Sequence, residues 1–553
     1  MEQIPSFNQY IEDSVIKFWD KDAFTDYKGA TLQFHDVARK IEKLHIMFEN
    51  SGVKRGDKIA LCGRNSSHWA VAFLATLTYG AIAVPVQNEF TPEQIHNIVN
   101  HSESKLLFVG DVVCTQVNPD MMPALEGIVY LPDFSIVISR SEQLTFAREH
   151  LNEIFGKRYP KYFRKEHIHY YKEQSPEELA MINYTSGTTG FSKGVMLPYR
   201  ALWGNIDYVL KCLAPNVKPG SNLVSILPMA HMYGLAVEFL FGFINGCHLY
   251  FLNRMPSPSL IAEAFAEVKP RLIVAVPLVI EKIIRRKVLA EVQTNRMKLL
   301  LNMPVINKKI KQHIRDRIME AFGGNAFEII VGGAPLNQGI EEFLNSVGVP
   351  VTIGYGTTET APLITFANYD KYKIASCGPV VDHMEAKVVS PDPVNVPGEL
   401  IARGMNVMLG YYKNEEATNA VLDKDGWFHT GDLATMAPSG HIYIKGRIKN
   451  MLLGANGQNV YPEEIEDKLN NMPLVGESII IQRDTKLVAL VHPEIEDKEA
   501  MDFDDDDIKG IMDENLKTLN NQLPPFCKIA AIEIQKEEFQ KTAKKSIKRY
   551  LYK

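Results

Sequence analysis

Residues 58–110 constrain the fold more than any other part of the chain. "KIALCG" (58–63) is an apolar run of strand length, and "SSHWAVAFLATLTYG" (66–80) is a helix-length segment opened by Ser and stopped by Gly. "AIAVPV" (81–86) is again a strand. "TPEQIHNIVNHSE" then opens a helix with Thr91 as N-cap, Pro92 in the first turn and Gln94 completing a capping box. "KLLFVG" (105–110) closes a βαβαβ run. Strands that are apolar throughout and alternate with helices belong to a parallel sheet covered on both faces. The expected fold class is therefore α/β.

The same alternation returns in "NLVSILP" (222–228), "RLIVAVP" (271–277) and "FEIIVGG" (327–333), with basic helical sequence over about 281–320 covering that second sheet. From about 375 to 445 the pattern shortens to strands and turns ("PGELIARG", "GHIYIKGR"), which reads as a small antiparallel or β-barrel-like subdomain. The polar "GRIKN" (446–450) separates it from a last hundred residues rich in Lys, Glu and Asp, the composition of a small mobile α+β domain. The expected division is a large N-terminal domain over 1–447 and a small C-terminal domain over 448–553.

With 553 residues the chain is long enough for more than one domain, and a net charge of −6 gives no global case for nucleic acid or an anionic membrane. Its six cysteines are far apart with no C-x-x-C pair, which argues against a zinc site or a disulfide framework. The start "MEQIPSFNQYIEDSV" lacks the basic and apolar regions of a signal peptide. The apolar stretch Ala236–Leu252 is broken by Glu238, Asn245 and His248, so a spanning helix is not expected. A cytoplasmic protein is expected, with peripheral membrane contact left open. The acidic "DFDDDD" (502–507) lacks the Gly and terminal Glu of a calcium loop and reads as solvated surface.

"YTSGTTGFSKGV" (184–195) is too polar and glycine-rich for core. Glycines let the backbone approach a ligand, and bare N–H groups and hydroxyls are donors suited to oxyanions. A phosphate is the natural guest, although the P-loop pattern fails, because Ser192 stands where its second Gly belongs and Gly194 follows Lys193. Three more stretches accompany it. "GYGTTETAP" (354–362) carries a single acid, Glu359; "WFHTGDLATMAPSGHIYIKGRIKN" (427–450) carries Asp432 in a Gly-Asp turn and Arg447; "GANGQNVYPEEIE" (454–466) is a glycine-containing loop before an acidic helix start.

Four such motifs in this order resemble the adenylate-forming (AMP-binding) superfamily over essentially the whole length, most like the bacterial long-chain fatty-acid–CoA ligases within it. The resemblance implies ATP, Mg²⁺ and CoA as ligands, a carboxylic acid as substrate, and a C-terminal domain that rotates between two half-reactions. It implies that Thr185, Ser186, Gly187, Thr188, Thr189, Gly190 and Lys193 embrace the ATP phosphates, and that Glu359 helps hold Mg²⁺. Thr358 falls at the α-phosphate, beside Gly356 and Thr357, while Asp432 and Arg447 fall on the ribose. Gly333, Ala334 and Pro335 of "GGAP" (332–335), with Tyr355, correspond to the adenine slot. Lys449 falls on the hinge, and Gly457 where the pantetheine arm of CoA passes.

"LPMAHMYGL" (227–235), with His231, Tyr233 and Gly234, corresponds to the segment lining the acyl pocket. His231 either touches the substrate carboxylate or is a core histidine. Amino-acid-activating relatives place an Asp just after this segment, whereas here "GLAVEFLFGF" is apolar with Glu238 as its one acid, so a medium- to long-chain fatty acid is expected. The acceptor is expected to be CoA, with an acyl carrier protein as the alternative, and a non-catalytic nucleotide- or lipid-binding descendant as another. That last alternative comes from one departure. The family's K-T-x-x-G-K-I-x-R reads "KTAKKSIKR" (541–549) here, which puts Ser546 at the position of the catalytic lysine. Whether Lys544, Lys545 or Lys548 replaces that charge is open.

Overall fold

The computed structural model describes residues 4–185, 192–284, 304–453, 459–483, 486–494, 505–541 and 547–552. The helix caps read from the sequence are formed. Ser66 Oγ accepts from Trp69 N at 3.1 Å, and the helix Ser67–Tyr79 ends on Gly80 at φ 85. In the next helix, Pro92–Ser102, Thr91 N donates to Gln94 Oε1 at 3.0 Å and Gln94 N to Thr91 Oγ1 at 3.3 Å, the reciprocal box that satisfies two orphan donors.

These helices flank an eight-stranded sheet. Its order is Gly410–Tyr411, Lys193–Pro198, Leu179–Thr185, Ile82–Val86, Lys58–Cys62, Ser104–Val109, Gly127–Tyr130 and Ile136–Ser139. The middle is parallel, as the alternation requires, and both ends are antiparallel. A second, seven-stranded sheet runs Val351–Ile353, Glu328–Val331, Leu272–Ala275, Asn222–Ser225, His248–Phe251, Asp22–Asp26 and Thr31–Gln33. The strand Asp22–Asp26 pairs in parallel with His248–Phe251, more than two hundred positions away in the numbering. The basic region expected to be helical holds the helices Pro277–Ile284 and Pro304–Ala321; residues 285–303 between them lie outside the described residues.

One hydrophobic core spans both sheets. Phe24, Phe34, Phe73, Phe239 and Phe243 are fully buried in it, and Phe34 stacks on Phe243 at 4.9 Å. Each such ring contributes about 1.5–3 kcal/mol by burial alone. Residues Gly234–Leu240 form a π-helical turn that continues into Phe241–Ile244, all of it buried. Among the described residues no helix is long and apolar enough to cross a membrane.

The strand-rich piece expected over 375–445 is a four-stranded antiparallel sheet of Met384–Val389, Gly398–Gly404, Phe428–Met436 and Ile442–Arg447. After a 3₁₀ turn at Ile448–Asn450 the chain builds a separate α+β unit. The strands Val475–Arg483, Lys486–Pro493 and Ile529–Ile534 carry the helices Pro462–Leu469 and Asp505–Gln522 over a core of their own that includes Ile465, Leu469, Ile480 and Met512. Asp505, Asp506 and Asp507 of the acidic run occupy the first turn of the second helix, where the helix dipole favours negative charge.

Candidate active site

The strands on either side of the glycine- and threonine-rich loop, Leu179–Thr185 and Lys193–Pro198, pair as an antiparallel hairpin with Thr185 opposite Lys193. Ser186, Gly187, Thr188, Thr189 and Gly190 lie outside the described residues, as do Gly457 and Ser546. Lys193 leaves the hairpin with its Nζ 4.8 Å from the centre of the Tyr411 ring.

The Tyr411 hydroxyl in turn donates to Glu359 Oε1 at 2.9 Å. Glu359 sits in the 3₁₀ turn Thr358–Thr360, closed by Thr357 N donating to Thr360 Oγ1 at 3.1 Å. Thr358 is buried in that turn. Gly356 admits no side chain, since a Cβ there would lie 1.7 Å from the Pro362 carbonyl oxygen.

Asp432 and Arg447 are cross-strand neighbours in the antiparallel sheet, with Arg447 Nε 3.2 Å from Asp432 Oδ1. Tyr355 donates its hydroxyl to Asp432 Oδ2 at 2.6 Å. Asp432 is 5% exposed; burial raises its carboxyl above the usual range, while Arg447 and Tyr355 pull it back. The charges of Glu359 and Glu463 also reach it, so the acids from three motifs share one field. Burial, then the Asp432 charge, keeps the Tyr355 phenol protonated. Lys449, exposed at the next turn, is lowered by desolvation and by Arg447, with Asp432 opposing.

Gly333, Ala334 and Pro335 are exposed just beyond the strand Glu328–Val331. The preceding Gly332 lies close to Tyr233, since a Cβ on it would be 3.0 Å from Tyr233 Cζ, and Tyr233 donates to the Ile330 carbonyl at 3.1 Å. The expected adenine and acyl segments are therefore adjacent. Gly234 is buried at the start of the π-helical turn, and half-buried His231 has its Nδ1 3.5 Å from Tyr233 N. Glu238 is buried and already engaged, accepting from Ser225 Oγ at 3.0 Å, Leu227 N at 3.2 Å and Ile226 N at 3.3 Å.

The small unit touches the large one beside this site. Lys445 pairs with Glu464 at 3.2 Å, and Gln338 N donates to Asp467 Oδ1 at 3.2 Å. In the tail, Lys541 pairs with Glu477 at 2.6 Å and bridges to Ile547, and Arg549 binds Glu466.

Tyr411 was not singled out by sequence reasoning. Its signal is faint, an aromatic after Gly410 outside all four motifs, and its two partners come from 193 and 359.

The strand leaving the glycine-rich loop, a carboxylate in a threonine turn, and an aspartate between a tyrosine and an arginine thus come from motifs far apart in the sequence. Residues 11–412 match the family of AMP-binding enzymes, and residues 449–552 match the AMP-binding enzyme C-terminal domain. This chain belongs to the AMP-binding enzyme family. A long-chain-fatty-acid–CoA ligase of Escherichia coli O157:H7 is 31% identical over 507 residues, covering 86% of this chain and 82% of that protein. Long-chain-fatty-acid–CoA ligase ACSBG2 of Rattus norvegicus is 25% identical over 545 residues, covering 93% and 77%. The fold is that of ATP-bound MatB from Rhodopseudomonas palustris, with a TM-score of 0.76 at 23% identity, over 99% of this chain and 98% of that one. With these relatives the chain is an adenylate-forming acid–CoA ligase.

Proposed function

We propose that this chain activates a fatty acid with ATP and transfers the acyl group to CoA, and that its two units divide at 447/448. The observation that carries the site assignment is Asp432, a buried carboxylate on an inner strand of the antiparallel sheet, held by Tyr355 and Arg447 within the field of Glu359. Asp432 then accepts from the ribose hydroxyls, Arg447 supports it, and Tyr355 with 333–335 holds the purine. Lys193 and the hairpin hold the phosphates.

The donor set around Glu359 fits Mg²⁺. It is a hard carboxylate among threonines that would supply one oxygen ligand, with phosphate oxygens and water as the other ligands such a cation would take. Mg²⁺ bound there would neutralise charge on the phosphates. Attack by the acid's carboxylate on the α-phosphorus releases pyrophosphate and gives the acyl adenylate. The CoA thiol then displaces AMP, giving the thioester.

The fatty class is supported by the names of the relatives and by Glu238. Ser225 and two backbone N–H groups already occupy its carboxylate, which leaves it unsuited to a substrate ammonium in an otherwise apolar segment. CoA, not a carrier protein, is the proposed acceptor.

The test is ATP–pyrophosphate exchange across acids of graded length, with thioester formation measured separately using CoA or a carrier protein. Fatty acids should support exchange, amino acids should not, and CoA should accept. Lys449→Pro, which fixes φ at the proposed hinge, should keep exchange and lose thioester formation. Exchange with amino acids alone would overturn the substrate class, and equal loss of both half-reactions in Lys449→Pro would overturn the hinge.

A further inference from the structure

We propose that Tyr411 is a positioning residue that fixes Glu359 and Lys193 relative to each other so that Mg²⁺ and the ATP phosphates fit between them. The inference rests on the reading of those two residues given above. It starts from the backbone. Met408 N donates to the Glu359 carbonyl at 2.9 Å, Leu409 N to the Met196 carbonyl at 2.9 Å, and Tyr412 N to the Gly194 carbonyl at 2.7 Å. Five consecutive residues are thus tied on one side to the threonine turn and on the other to the strand that leaves the phosphate hairpin.

The Tyr411 side chain repeats that bridge. It is 6% exposed, its N–H donates to Thr418 Oγ1 at 2.8 Å, and its ring is held by packing. Its hydroxyl reaches Glu359 Oε1 at 2.9 Å while its face carries Lys193 Nζ at 4.8 Å. A carboxylate and an ammonium serving the same triphosphate attract each other. A direct ion pair between them would neutralise both and close the space that the phosphates need. With the tyrosine between them, the acid meets a hydroxyl and the ammonium a π-face among the described residues. Mg²⁺ and phosphate can replace contacts of that kind without an ion pair having to break first.

The two halves of the side chain can be separated. Tyr411→Phe keeps the ring under Lys193 and removes the hydroxyl from Glu359; Tyr411→Leu removes both. ATP binding to the full chain is measured by calorimetry over a series of Mg²⁺ concentrations and in EDTA, with Glu359→Gln as reference and thermal unfolding recorded for each variant. Tyr411→Phe should raise the Mg²⁺ concentration for half-maximal ATP binding about tenfold, the loss expected for one hydrogen bond to a charged group. The double variant Tyr411→Phe/Glu359→Gln should be no worse than Glu359→Gln alone. Tyr411→Leu should also weaken ATP binding in EDTA, by roughly threefold, through Lys193.

A shift in Glu359→Gln with none in Tyr411→Phe overturns the role of Tyr411 and leaves the reading of Glu359 standing. No shift in Glu359→Gln overturns both. If Tyr411→Phe lowers thermal stability and binding in EDTA in step, the residue is structural and the proposal falls.

Discussion

Two regions of the molecule hold buried acids in opposite ways. In the root region, formed by the second sheet, Glu238 accepts from Ser225 Oγ and two backbone N–H groups at the C-terminal end of one strand, and Glu328, at the start of another, accepts from Thr352 Oγ1 at 2.9 Å. Burial pushes both carboxyls up, Glu238 well above the carboxylate range and Glu328 to about 7. At the rim, Asp432 is held by Tyr355 and Arg447 and Glu359 by Tyr411, all through side chains. A raised carboxyl is therefore no marker of a ligand site in this protein. What sets Glu238 apart from Asp432 and Glu359 is that the chain's own backbone donors fill it.

That contrast makes three predictions, taken from the largest effect to the smallest. Glu238→Ala strands two backbone N–H groups and a hydroxyl in the core, and should cost about 3–5 kcal/mol of stability. Pyrophosphate exchange per folded molecule should survive, and thermal unfolding alongside exchange checks both. Loss of exchange without loss of stability would move Glu238 to the ligand side of the comparison.

Glu328→Gln tests the same region through pH. The folded carboxyl titrates at about 7 against an ordinary 4.5, so between those values the folded state holds a proton that the unfolded chain has released. That contribution to stability is fully present below pH 4.5 and is lost as pH rises through 7. By about pH 8 the loss is about 3 kcal/mol. Denaturant unfolding at pH 5 and pH 8 should show Glu328→Gln gaining on the parent by about 2.5 kcal/mol, since part of the loss is already present at pH 5, and equal slopes with pH would contradict it.

Asp432→Asn should do the reverse of Glu238→Ala. Loss of the charged acceptor should lower kcat/KM for ATP about a hundredfold, or about 2.7 kcal/mol. Because burial already disfavours the charge, stability should hold or rise slightly. A variant that unfolds yet turns over normally when folded would erase the distinction between rim and root.

What the sequence made legible follows the range of the physics involved. The Ser66 and Gly80 ends of one helix and the Thr91–Gln94 box of the next depend on side chains at most a few residues apart, and each formed as read. The parallel arrangement of residues 58–109 follows from strand–helix alternation, also a local pattern. The family motifs located Glu359, Asp432 and Arg447, but not what holds them. Tyr355 and Asp432 meet across 77 positions, and Tyr411 and Glu359 across 52, contacts that no periodicity encodes. Glu238 stood out as a lone acid in an apolar run, yet its partners lie on the end of another strand. The pairing of Asp22–Asp26 with His248–Phe251 was illegible for the same reason.

The two-residue strand Gly410–Tyr411 has a consequence for the order in which the protein is made. It is the last strand of the eight-stranded sheet and covers the outer side of Lys193–Pro198. On the ribosome, residues 199–409 emerge between the two, so the phosphate hairpin is synthesised long before its neighbour exists. Through that interval the growing chain carries an open sheet edge, the surface on which nascent polypeptides pair wrongly with one another. A stalled product ending before Gly410 keeps that edge open permanently.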